Sequence, residues 1–100
     1  MHFMNRCDID DAVRFSINLP VLHKAALILQ DLMNAVDGCS DGWCYWKAPV
    51  KAADKLMTLI ERDRDNWGKV RTDITEAELQ KALTPIRSFC TKHPTVGWRP

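Results

Sequence analysis

The sequence predicts an all-α fold: a single small helical domain of about four helices, with an aromatic-rich loop and an irregular C-terminal tail. Three observations predict it. Apolar residues recur at helical spacing along nearly the whole chain, and no segment alternates polar and apolar over strand length. Prolines and glycine-containing turns divide that pattern into four runs. The chain has 100 residues, 46% apolar and 27% charged, which suits one ordinary globular core and not a disordered chain. A chain of this size buries roughly two-thirds of the surface its unfolded form exposes.

The first helix is expected to open at Asp8, which can cap it. Asp10 and Asp11 then sit where the helix dipole favours negative charge. Ile9, Ala12, Val13 and Ile17 would share its inner face, and Pro20 would end it by pushing residue 19 out of helical geometry. Pro20 is also a favourable first residue for the second helix, which runs to about Val36. Its apolar stripe (Val21, Leu22, Ala25, Ala26, Ile28, Leu29, Leu32, Met33, Val36) is wide enough to pack against more than one neighbour, so this helix is placed centrally. Gly38 supplies a left-handed stop.

Residues 37–48, with two Asp-Gly pairs, read as a structured loop. Pro49 opens the third helix, to about Asp65, with Val50, Ala53, Leu56, Met57 and Ile60 inward. Lys47, Lys51 and Lys55 share another face of it. Asn66-Trp67-Gly68 breaks it. Thr75 and Glu78 make a capping box for the fourth helix, with Ile74 and Leu79 as its hydrophobic staple. Leu79, Ala82, Leu83, Ile86, Phe89 and Cys90 hold its inner face. Pro85 lies inside that stripe and predicts a kink, since the apolar phase survives it. The helix ends before Pro94. Residues 1–100 form one domain, with 1–7 and 94–100 read as flexible tails.

Net charge excludes extreme classes. Fourteen Lys and Arg against 13 Asp and Glu leave +1, which describes neither a basic nucleic-acid coat nor an acidic DNA mimic. The longest uninterrupted apolar run is Ala25–Leu29, far short of the roughly 20 residues a bilayer span requires. Nothing near Arg6 has the apolar stretch of a signal peptide. A cytosolic protein without membrane association is expected, its four cysteines present as thiols.

Two chemical constellations are conceivable. Cys39, Cys44, Cys90 and His93 could supply four zinc ligands, but one pair has an atypical spacing and the other lies about fifty residues away. Cys90 reads better as a core residue and His93 as a surface one. A nucleophile such as Cys44 with His23 or His93 lacks any surrounding motif, and the paired carboxylates sit at helix starts, where the dipole accounts for them. The expectation is a protein that is not an enzyme and needs no cofactor.

The charge is unevenly spread. Residues 1–41 carry a net −3 and residues 42–100 a net +4. Lys47, Lys51, Lys55, Arg62, Arg64, Lys69 and Arg71 form a basic track interleaved with Trp43, Trp46 and Trp67. Such a track can bind single-stranded nucleic acid by phosphate contact and stacking, although a solvated helix face explains it as well. The loop Trp43-Cys44-Tyr45-Trp46 is more informative. Trp, Tyr and Arg are enriched at interface hot spots, and so many aromatics cannot all enter a core this small. Trp43, Tyr45, Trp46, Lys47, Lys51, Lys55 and Trp67 are therefore the expected partner-binding residues.

The stretches DIDDAVRFSINLPVLHKAAL, DGCSDGWCYWKAPVKAADKLM and RDRDNWGKVRTDITEAELQKALTPIRSFC resemble the small anti-RecBCD accessory recombination proteins of lambdoid phages. The likeness runs from Met4 onward and is one of overall sequence, with no chemical motif and no catalytic residue to carry over. It implies a phage-encoded protein of the host cytoplasm that binds host RecBCD through its RecC subunit. It also implies that the helicase–nuclease is modulated in favour of phage recombination, and that a basic track can lie near DNA without reading it. The alternative from the residues alone is a small nucleic-acid-binding module using the basic track. The five prolines also leave room for a host prolyl isomerase, most naturally around Pro94.

Overall fold

A computed structural model describes residues 6–37 and 47–94, with the side chains of 36, 37 and 47–49 left aside. Four α-helices carry the fold: α1 (Arg6–Phe15), α2 (Pro20–Asp37), α3 (Lys47–Arg62) and α4 (Glu76–Lys92). A 3-10 turn, Arg64–Asn66, follows α3. The all-α prediction holds, and among the described residues there is no strand.

The helices pack as two antiparallel hairpins. In the first, Gln30 near the end of α2 donates to Asp10 near the start of α1 at 3.0 Å, and Arg6 donates to Asn34. In the second, Arg62 at the end of α3 meets Glu78 at the start of α4 at 2.8 Å. Helix α2 is central, pairing with α1, packing on α3 and touching α4. Its stripe is the reason. Leu22, Ala25, Ala26, Leu29, Leu32 and Met33 are all buried, and Val21 and Ile28 flank the core. The predicted inner face of α4 is buried at all six positions, and α3 buries Ala53, Leu56, Met57 and Ile60 as expected.

Helix boundaries moved at both ends of α1 and of α3. Helix α1 starts at Arg6, so Asp8 lies within its first turn and not at the cap. There it keeps its favourable place in the dipole and gains Arg64 at 3.4 Å. Helix α1 also stops at Phe15, short of the Pro20 boundary. The amide of Leu19 donates to the Ser16 carbonyl at 2.8 Å, closing a tight turn. The Ser16 hydroxyl turns inward, fully buried, to His23 Nδ1 at 3.2 Å. Ile17 thereby leaves the helical phase and is 70% exposed, which corrects its assignment to the core. Helix α3 begins at Lys47, before Pro49, and ends at Arg62.

Helix α4 runs unbroken through Pro85. Its start is fixed as predicted. Thr75 Oγ1 accepts from the Glu78 amide at 3.2 Å, Glu78 Oε2 accepts from the Thr75 amide at 3.4 Å, and Ile74 and Leu79 are both buried. Replacing Thr75 by Ala is expected to cost about 1 kcal/mol. The loss should appear as a lower urea midpoint with an unchanged slope.

A surface tie links α2 to α4. Lys24 on α2 meets Glu76 on α4 at 3.3 Å, and Gln80 donates to the same carboxylate at 3.1 Å. The Gln80 hydrogen bond first, then Lys24, hold the Glu76 carboxyl below its ordinary value of 4.5. A depressed folded-state pKa stabilises the fold above the unfolded value and ceases to do so as pH falls through the folded one. Glu76→Gln should therefore lower the melting temperature slightly near neutrality, with the gap closing in acid and shrinking in high salt. Melting curves of both proteins across an acid series would read it; a gap that persists in acid counts against the assignment.

Candidate partner-binding surface

The connection from α3 to α4 positions most of the exposed chemistry. Asp63, directly after α3, is 1% exposed. Its carboxylate accepts from the Asn66 side chain, the Thr72 hydroxyl and the Asp73 amide, the last at 3.1 Å. Those bonds hold residues 63–73 as a closed loop, because a buried carboxylate is tolerated only when its oxygens are satisfied. Gly68 turns that loop with φ +84°, a conformation that costs glycine nothing. A Cβ there would meet no neighbour within 4 Å, so backbone conformation alone favours glycine.

The Gly68 amide donates to the Phe15 carbonyl at 2.6 Å, which docks the loop against the end of α1. Within two residues of that bond stand the most exposed large apolar side chains among the described residues: Phe15 at 48%, Ile17 at 70% and Val70 at 88% exposure. Trp67 lies beside them, half-buried and packed on the core. The Arg64 guanidinium sits 4.9 Å from its ring centroid, within cation–π range. Among the described residues the buried indole N–H finds no acceptor.

Arg64 also bonds Glu61 at 3.1 Å and Asp8 at 3.4 Å. Burial works against its charge, but the Glu61 hydrogen bond and the charges of Glu61 and Asp8 outweigh this and raise its pKa above the ordinary arginine value. Arg62 pairs with Glu78, and Arg71 approaches Asp73 at 3.8 Å. The basic track is thus broken up. Three arginines spend their charge on carboxylates of this chain, while exposed Lys51 and Lys55 remain on α3 facing the seam with α4.

The other expected site residues fall as follows. Trp43, Tyr45, Trp46, Cys39 and Cys44 lie outside the described residues, as does the side chain of Lys47. Cys90 is a buried core residue, and His93 stacks on Phe89 with ring centroids 4.5 Å apart. Among the described residues no group of three or more His, Cys, Asp or Glu could hold a metal ion. Ser16 and His23 form a hydroxyl–imidazole pair, but the hydroxyl is fully buried, so it serves the α1–α2 turn. Pro94 is exposed just beyond α4. Among the described residues no helix is long and apolar enough to cross a membrane.

Sequence reasoning missed the Phe15, Ile17 and Val70 cluster. Its signal was the poor helical residues Ser16, Ile17 and Asn18 before Pro20, and an isolated valine in a basic loop. No family model, curated protein or solved structure matches this chain.

Proposed function

We propose that this chain is a phage accessory protein that works in the host cytoplasm by binding RecBCD, through RecC, and biasing its helicase–nuclease activity toward phage recombination. It acts by association and not by catalysis. The sequence resemblance supplies the identity of the partner. The observation that carries the mode of action is the exposed apolar cluster at the α1 end, held against a loop that Asp63 and the Gly68–Phe15 bond keep in place. Exposed apolar groups on a fixed frame suit protein association, because their ordering cost has already been met. Internal pairing of Arg62, Arg64 and Arg71 favours this reading over a nucleic-acid module. A host prolyl isomerase engaging Pro94 is a generic addition that the exposure of that residue permits.

The test is affinity purification of the tagged chain from host lysate with mass spectrometry, repeated with purified RecBCD. Recovery of RecB, RecC and RecD together supports the proposal. A chain that retains none of them in either format rejects it.

A further inference from the structure

Half of the described cationic side chains have a partner within the chain. Arg6, Lys24, Arg62, Arg64, Arg71 and Arg87 each have a carboxylate or amide partner. Four lysines are different. The side chains of Lys51 and Lys55 on α3, and of Lys81 and Lys92 on α4, make no hydrogen bond or ion pair with any described residue. Of the remaining described cations, only Arg14 and Lys69 share that state.

All four lysines border one seam. Two open furrows follow each other along the α3–α4 groove. The first, of about 450 Å³, lies between Lys55 and Lys81 and is floored by Leu59 and Ala82. The second, of about 340 Å³, lies between Lys51 and Lys92 and is floored by Ala52, Pro85 and Phe89. Because the helices are antiparallel, the stripe 51–62 on α3 runs beside 92–78 on α4. At 1.5 Å rise per residue the seam is about 16 Å long, three helical turns. Arg62 and Glu78 close one end by pairing with each other. Asp54 is the single further acidic residue in either lining.

From this we infer that the α3–α4 groove is a docking site for an acidic amphipathic helix of a partner protein. The helix would have a narrow stripe of small apolar residues and Asp or Glu on both flanks. The floor decides between proteins and nucleic acid. It is aliphatic, and its two alanines allow another backbone to approach closely. The one aromatic residue, Phe89, is 7% exposed and already stacked on His93, so no ring face is presented for a base. Lysines on both rims match a helix whose acidic residues flank an apolar stripe. The site is separate from the Phe15, Ile17 and Val70 cluster, and the inference holds whether or not RecBCD is the partner.

The probe is a set of synthetic three-turn peptides with Leu and Ala on one face and Glu on both flanks. Each is titrated into the full isotope-labelled chain by NMR at low and moderate salt. Binding should shift amides of α3 and α4 and leave α1 unmoved. Affinity should fall as salt rises, and order-scrambled peptides of identical composition should bind at least about tenfold more weakly. Lys55→Glu with Lys81→Glu should remove binding, and Lys55→Gln with Lys81→Gln should weaken it about tenfold. Lys69→Glu, a change outside the groove, should leave it intact. Circular dichroism checks that each variant is folded. Equal binding of the scrambled peptides overturns the inference, as does absence of binding by the whole set. Tighter binding of an oligothymidine to the same amides overturns it in favour of nucleic acid.

Discussion

Replacing Asp63 by Ala should be the most destabilising single change in the connection between α3 and α4, lowering unfolding free energy by about 3 kcal/mol. For a domain of this size that corresponds to a melting temperature lower by about 15 °C. The carboxylate is 1% exposed and receives a side-chain amide, a hydroxyl and a backbone N–H. Truncation removes all three acceptor contacts and leaves the donors facing a void that water must enter or the loop must open to fill. Asp63→Asn separates geometry from charge. Its amide oxygen can still serve Asn66 and Asp73, and its NH2 can donate to Thr72 Oγ1, which already accepts from the Ile74 amide at 3.2 Å. The expected cost is about half that of alanine. Thermal melts of both variants decide it: equal losses would mean that the negative charge, and not the bonding pattern, holds the loop.

This residue also shows where the sequence stops being legible. Arg62-Asp63-Arg64-Asp65 reads as an alternating, solvated charge run in which the acids offset the arginines. The donors to Asp63 lie three, nine and ten residues downstream, so no local pattern marks it as buried. The pairing of Arg64 with Asp8 is equally remote, because it depends on the whole first hairpin having folded. Helix α4 was legible for the opposite reason. Its capping box fixes where the helix begins, and once the start is fixed the phase of Leu79 through Cys90 follows from 3.6 residues per turn. Helix α1 had no such marker. Pro20 set an outer limit, and the true end at Phe15 came from the tight turn at Ser16, which moved Ile17 from core to surface.

The groove illustrates the same division. Lys51 and Lys55 were visible as a spaced pair on one helix face. Lys81 and Lys92 join them only through the antiparallel packing of α3 and α4, and nothing near them in sequence announces it. The basic track, by contrast, was continuous in sequence but not in space. Its arginines turn toward Glu61, Glu78 and Asp73, so adjacency along the chain overstated the positive surface.

Given the proposed RecBCD association, Ile17→Asp combined with Val70→Asp should reduce RecBCD retention by about a hundredfold or more while leaving the melting temperature nearly unchanged. Both side chains already stand in water, at 70% and 88% exposure, so the fold does not depend on burying them. Burying an aliphatic side chain in a partner is worth about 2 kcal/mol, and burying an unpaired carboxylate in its place adds a desolvation cost. With about 1.4 kcal/mol per tenfold, two such losses exceed two decades of affinity. The pair is read beside Lys55→Glu with Lys81→Glu in the same retention assay. Loss with the apolar pair alone assigns the α1 end as the RecBCD contact and leaves the groove for a different helix. Loss with the lysine pair alone moves the contact to the α3–α4 seam, and the exposed cluster around the Gly68–Phe15 bond would then have no part in it. Loss with both places the two surfaces in one interface, and the acidic helix sought by the groove would belong to RecBCD itself.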